Sequence, residues 1–189
     1  YVVERYRNHP ALEIWHVENE PYIKFRFGEC QKFDEGLVKE EIDLVRSLDT
    51  RHKIMVTDSG EFGDWFRAYS RGDVFGTSLY LYVWPRSIGF PIRYPITPAF
   101  FRIKQNLVDL VYGKKPKILI ELSTEPWLRH PILDTSNEIL LDRMGIDKFN
   151  EMIDFAGKTG FDTQYLWGAE WWYWLKKNNI TDDHWNRAR

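Results

Sequence analysis

Two acidic segments carry residues whose type and spacing could do chemistry. The first is Trp15-His16-Val17-Glu18-Asn19-Glu20-Pro21, an apolar stretch that ends in carboxylates and an amide before a proline. The second is Ile118-Leu119-Ile120-Glu121-Leu122-Ser123-Thr124-Glu125-Pro126-Trp127, where a nearly continuous apolar run stops at a glutamate. A carboxylate at the end of a buried run must be hydrogen-bonded, paired or open to a cleft. Two carboxyl groups in unlike surroundings can divide their labour: the protonated one donates a proton and the ionised one attacks an electrophilic carbon. That division cleaves acetals, and in the retaining form it needs the two groups about 5–5.5 Å apart. Either segment alone also reads as an ordinary polar strand end. Glu125, four residues beyond Glu121, is an alternative to it.

Other chemistries have less to stand on. His9, His16, His52, His130 and His184 are scattered, with no paired metal-ligand spacing. His16 reads either as a core histidine or as a group that orients a neighbouring carboxylate. The segment Thr57-Asp58-Ser59-Gly60-Glu61 ends an apolar run and is expected to line a cleft, but it is not a Gly-x-Ser-x-Gly nucleophile turn. The one cysteine, Cys30, excludes a disulfide within the chain and reads as a loop thiol. A formal net charge of −2 gives no reason to expect nucleic acid or an anionic membrane as partner. No apolar run nears the roughly 20 residues of a membrane span. Aromatic residues reach 16%, with nine tryptophans that cluster late in the chain beside acidic groups, more than a core of 189 residues demands. Flat apolar faces with polar rims suit sugar rings.

These residues need a frame, and the pattern supplies one. Short apolar runs alternate with longer amphipathic ones, which predicts βα units and a parallel sheet. Strands are expected at 12–17, 54–57, 73–82, 117–122 and 164–167. Helices are expected at 2–8, 34–49, 63–71, 98–113 and 146–157. In the helix at 34–49, Val38, Ile42 and Val45 share a face with Leu44 and Leu48 beside them. Phe100, Ile103, Leu107, Leu110 and Val111 form the apolar stripe of the helix at 98–113. Residues 85–98 and 122–144 are expected to be long loops. A doubly wound sheet fits the same alternation. Chemical residues at the ends of successive strands, and no Gly-rich phosphate loop after the first, favour a (β/α)8 barrel.

WHVENEP, followed about a hundred residues later by ILIELSTEPW, resembles the retaining glycoside hydrolases of clan A, the cellulase-like families. The resemblance implies that Glu20, after Asn19, is the acid/base at the end of barrel strand four, and that Glu121 is the nucleophile at the end of strand seven. It implies that Tyr80, or in second place Tyr82, hydrogen-bonds the nucleophile. It implies that Trp167, with Glu170 and Trp171 nearby, floors the subsite of the cleaved sugar. Asn19 would hold the sugar's 2-hydroxyl, and Trp127, Trp171 and Trp84 would add stacking surfaces. The stretch after Glu121 departs from the Phe-Gly common in the clan and puts Glu125 there.

The sequence thus leads to an α/β fold: an incomplete (β/α)8 barrel over residues 1–189, strands four to eight, the C-terminal portion of a catalytic domain whose first three units lie upstream. The expected activity is retaining hydrolysis of β-linked saccharides without a cofactor. The missing N-terminal part of the barrel would be a partner, and a secreted or cell-surface location is compatible with this reading. A non-catalytic carbohydrate-binding or scaffold remnant of such a barrel is the alternative, and an unrelated α/β enzyme in which the two glutamates coincide is a third.

Overall fold

The structure, a computed structural model, describes residues 1–23, 34–85 and 88–189. Cys30 lies outside the described residues. The chain forms two compact units, one of residues 1–78 and 103–118, the other of 79–102 and 119–189.

In the first unit, helix α1 (Val2–Tyr6) leads to strand β1 (Ile14–His16). Helix α2 (Glu35–Leu48) starts at Asp34, whose side chain accepts the Gly36 and Leu37 amides and caps the exposed N–H groups of the first turn. Its buried face is Val38 and Ile42, whereas Leu44 is 58% exposed. Asp49 ends the helix and joins it to the sheet. It accepts the Trp15 indole N–H at 2.9 Å, the Arg51 amide at 2.9 Å and His52 Nδ1 at 2.6 Å. Burial alone would push the Asp49 carboxyl up, but these hydrogen bonds outweigh it and hold the carboxyl far below the usual range.

Strand β2 (Lys53–Asp58) and strand β3 (Val74–Leu79) are the buried strands, joined through helix α3 (Phe66–Arg71). β1 pairs parallel with β2, Trp15 opposite Ile54, and β2 pairs parallel with β3, Thr57 opposite Gly76. A Cβ on Gly76 would stand 2.7 Å from Thr57 Cγ2 and 2.9 Å from Met55 Sδ, so glycine is required for this approach. Phe75 packs between Trp65 and Tyr69, at centroid distances of 5.0 and 5.6 Å, all three fully buried.

The expected third strand stops at Leu79, before Tyr82. Tyr82–Val83 (β4) instead pairs antiparallel with Ile92–Arg93 (β5), the latter inside the stretch 85–98 read from sequence as loop. Helix α4 (Pro98–Tyr112) forms where expected, closed by Gly113 at φ +81°. The face is not the expected one. Phe101 and Val108 are buried, while Ile103, Leu107, Leu110 and Val111 are exposed, Leu110 by 81%. The inward face carries Lys104 and Gln105, and Lys104 makes two internal hydrogen bonds. A hydrophobic periodicity count treats both as solvent residues and so chooses the wrong stripe.

Strand β6 (Lys117–Ser123) is not buried on both faces as its composition suggests, since Ile118 and Ile120 remain partly exposed. The expected loop at 122–144 contains a 3₁₀ turn (Ile132–Asp134) and helix α5 (Asn137–Met144), capped by Ser136 and anchored by buried Leu140 and Met144. Helix α6 (Ile146–Gly157) buries Phe149, Met152, Phe155 and Ala156. Strand β7 (Thr163–Trp167) precedes helix α7 (Ala169–Lys177) and helix α8 (Asp183–Ala188), which take up the Trp-rich sequence. The sheet order is β1-β2-β3-β6-β7. No helix among the described residues is long and apolar enough to cross a membrane.

Candidate functional site

In the first unit the acidic segment after β1 is held in a costly backbone. Glu18 and Glu20 take left-handed φ values of +58° and +48°. Such values are rare for residues other than glycine and persist only where neighbours enforce them. Here the Glu20 amide donates to Thr57 Oγ1 at 2.8 Å, and Ser78 Oγ donates to Glu20 Oε1 at 2.5 Å. The Thr57 hydroxyl also lies 3.3 Å from Asn19 Oδ1 and 3.1 Å from His16 Nε2. His16 is exposed and is not a core residue. It reaches the Glu20 backbone through Thr57, and the Asn19 side chain lies at the surface.

Ser78 is fixed in turn, accepting the Gly60 amide at 3.2 Å. The loop carrying Gly60 is pinned from below. Lys104 Nζ donates to Gly60 O and Gly63 O, both at 2.7 Å, and sits 4.1 Å above the Trp65 ring. Burial lowers the Lys104 ammonium to about 8. Asp58, fully buried and so not part of an open cleft, accepts the Ser59 and Trp65 amides at 2.9 and 3.0 Å. Burial pushes its carboxyl up, and those amides offset part of the effect. A Cβ on Gly63 would come within 2.3 Å of that carboxylate. Asp58 is therefore a brace for the loop.

In the second unit Glu121 stands on β6, and the Tyr80 hydroxyl donates to its Oε2 at 2.9 Å. Tyr82, the second choice, donates to Glu151 instead. The Trp127 ring packs edge-to-face on Tyr80 at 5.2 Å and is 38% exposed. Glu125 Oε1 accepts the Trp167 indole N–H at 2.9 Å. Burial pushes the Glu125 carboxyl up, Trp167 partly opposes this, and Glu170 adds to it. A carboxyl kept from ionising is a poor nucleophile, which weighs against Glu125 in that role.

The turn after β7 presents Trp167, which is 49% exposed. Thr124 donates its amide and hydroxyl to Trp167 O, at 2.9 and 2.7 Å, and Trp172 Nε1 donates to Thr124 O at 2.9 Å. Gly168 makes the turn at φ +135°, and a Cβ there would stand 3.0 Å from Trp172 Nε1 and 3.2 Å from the Glu125 nitrogen. Glu170 is exposed. Trp171 is not a stacking surface: it is 3% exposed and packs on His184 at 4.9 Å. It lies on the buried face of α7, with Leu175 one turn on. Trp84 is half-buried under the Arg143 guanidinium at 5.3 Å.

Sequence reasoning missed Ser78, Lys104 and the glycines 63 and 168, and read Thr57 only as part of a segment lining a cleft. A serine inside an apolar strand was the only signal for Ser78. Among the described residues no three His, Cys, Asp or Glu side chains gather in a way that could hold a metal ion.

No protein-family model matches the sequence, and no curated protein does. Among solved structures, the chain is similar in fold to a β-glucuronidase of Lactobacillus rhamnosus, with a TM-score of 0.50 and 17% identity. The similarity covers 89% of this chain and 27% of that one, so this chain spans about a quarter of its length. The fold is α/β with five parallel strands, consistent with an incomplete (β/α)8 barrel.

Proposed function

We propose that this chain is the C-terminal part, strands four to eight, of a clan A-like retaining glycoside hydrolase acting on β-linked saccharides, with Glu20 as acid/base and Glu121 as nucleophile. The observation that carries the reading is the 2.9 Å hydrogen bond from Tyr80 to Glu121. A phenol donating to a carboxylate on a strand helps to hold that carboxylate in one orientation.

In the first step the Glu121 carboxylate attacks the anomeric carbon while Glu20 protonates the departing oxygen, giving a glycosyl ester on Glu121 and a free alcohol. In the second, Glu20, now a carboxylate, takes a proton from water. The hydroxide so formed attacks the anomeric carbon, the ester breaks and Glu121 returns as carboxylate. The Ser78 hydrogen bond holds the Glu20 carboxyl in place. Trp167 and Trp127, both exposed, are the aromatic surfaces for sugar rings. Asn19, at the surface beside Glu20, is assigned the 2-hydroxyl.

Azide rescue tests the pairing of roles. Glu20→Ala should keep the first step on aryl glycosides with good leaving groups and stall on the second. Added azide should then restore turnover and yield a glycosyl azide of retained configuration. No rescue, together with equal loss on good and poor leaving groups, would remove Glu20 from the acid/base role.

A further inference from the structure

The second unit holds a cavity whose lining includes neither proposed catalytic carboxylate. It has a volume of about 180 Å³ and lies between the β4–β5 hairpin and the residues of α5 and α6. Its walls include Tyr82, Trp127, Arg93, Arg143 and Lys148, and no carboxylate is among its lining residues. A larger cavity, walled by Asp147, Glu151 and Asp154 among others, is acidic where this one is basic.

The three cations differ in how far they are neutralised. Arg93 pairs with Glu151 at 2.7 Å. Arg143 pairs with its neighbour Asp142, yet its Nε–H is buried without an acceptor, as is the indole N–H of Trp84 beneath it. Lys148 donates to the Asp142 carbonyl and lies 5.3 Å over the Tyr82 ring; its charge helps to hold the Glu151 carboxyl below its ordinary value, but it forms no salt bridge within 4 Å among the described residues. The pocket therefore has an excess of positive charge and an unsatisfied guanidinium donor in partly buried surroundings, where an anion is favoured. Its volume is that of roughly six waters, enough for a charged substituent with part of its ring. Trp127 is shared: one side of it walls this cavity, and it packs on Tyr80, which holds Glu121.

We propose that this cavity is an anion subsite that takes the carboxylate or sulfate substituent of an acidic saccharide through Arg143 and Lys148. The word saccharide rests on the function proposed above; the preference for an anion rests on the cavity alone.

The test is binding by NMR titration with Glu121→Gln in every sample, so that nothing turns over. The probes are methyl β-glucoside, methyl β-glucuronide, methyl β-glucoside 6-sulfate and inorganic sulfate. At least one of the two charged sugars should bind ten-fold or more tightly than the neutral one, and which does so tells carboxylate from sulfate. Arg143→Gln and Lys148→Gln should each cut that ratio to below about three-fold and leave the neutral sugar's affinity unchanged. Asp142→Asn should raise the ratio, because it frees the guanidinium; a merely structural role for Arg143 would not give this. Equal binding of neutral and charged sugars overturns the anion subsite and leaves the catalytic reading standing. Inorganic sulfate bound alone, with no sugar bound, overturns the saccharide assignment together with the reading it rests on. A ratio that survives both substitutions combined overturns the residue assignment.

Discussion

Glu20 and Glu121 are held in opposite ways. Glu20 sits in a left-handed backbone after a three-residue strand, kept there by a threonine, a serine and a loop that Lys104 pins. Glu121 sits on a regular seven-residue strand, with the Tyr80 hydroxyl donating to it. The difference suits the proposed roles. A nucleophile must attack one carbon along one line, and a strand supplies that rigidly.

Substitutions can break or sharpen this contrast. The largest effect belongs to Glu121→Gln, which should lower kcat/KM on aryl β-glycosides by about 10³-fold or more, with Glu125→Gln costing less than about ten-fold. Comparable losses at both positions would dissolve the distinction between them. Next comes Tyr80→Phe, which removes one donor to Glu121 and should lower kcat by about 10²-fold with little change in KM. Ser78→Ala should cost about ten-fold. An unchanged kcat/KM would mean that Ser78 only fills space.

Two smaller effects fall on stability. Gly168→Ala forces a Cβ onto Trp172 and Glu125 at a φ that other residues rarely adopt, and should cost about 1–3 kcal/mol by urea unfolding. Glu125 tests burial. Its folded carboxyl is raised above the ordinary value, so its contribution to stability is greatest at low pH and falls as pH rises from the unfolded pKa through the folded one. Glu125→Gln should therefore raise Tm at pH 7, and the gap should close towards about pH 4. A gap that does not vary with pH would show that Glu125 is not held against ionisation.

The alternation of strands and helices was legible because each apolar run is bounded by a clear breaker, as with Pro21 after Glu20 and Gly113 after α4. Tyr80 was singled out over Tyr82 through the family resemblance; the Tyr80 hydroxyl donates to Glu121 and that of Tyr82 to Glu151. What stayed hidden was polar material turned inward. Lys104 and Gln105 disguised the inner face of α4, and Ser78 and Thr57 look like ordinary strand residues until a partner in another segment gives them a task. Helix α5 was hidden because its short apolar set, Leu140 and Met144, follows a stretch rich in turn residues. Trp171 was misplaced because aromatic type does not say which way a helix faces, whereas its i+4 relation to Leu175 does.

The most direct test of the central claim is mass spectrometry after incubation with activated 2-fluoro-glycosides, on this chain and on the whole gene product. These reagents trap the glycosyl ester. The account predicts a single label on Glu121. A label on Glu125, or no label on folded protein across several sugars, would contradict it.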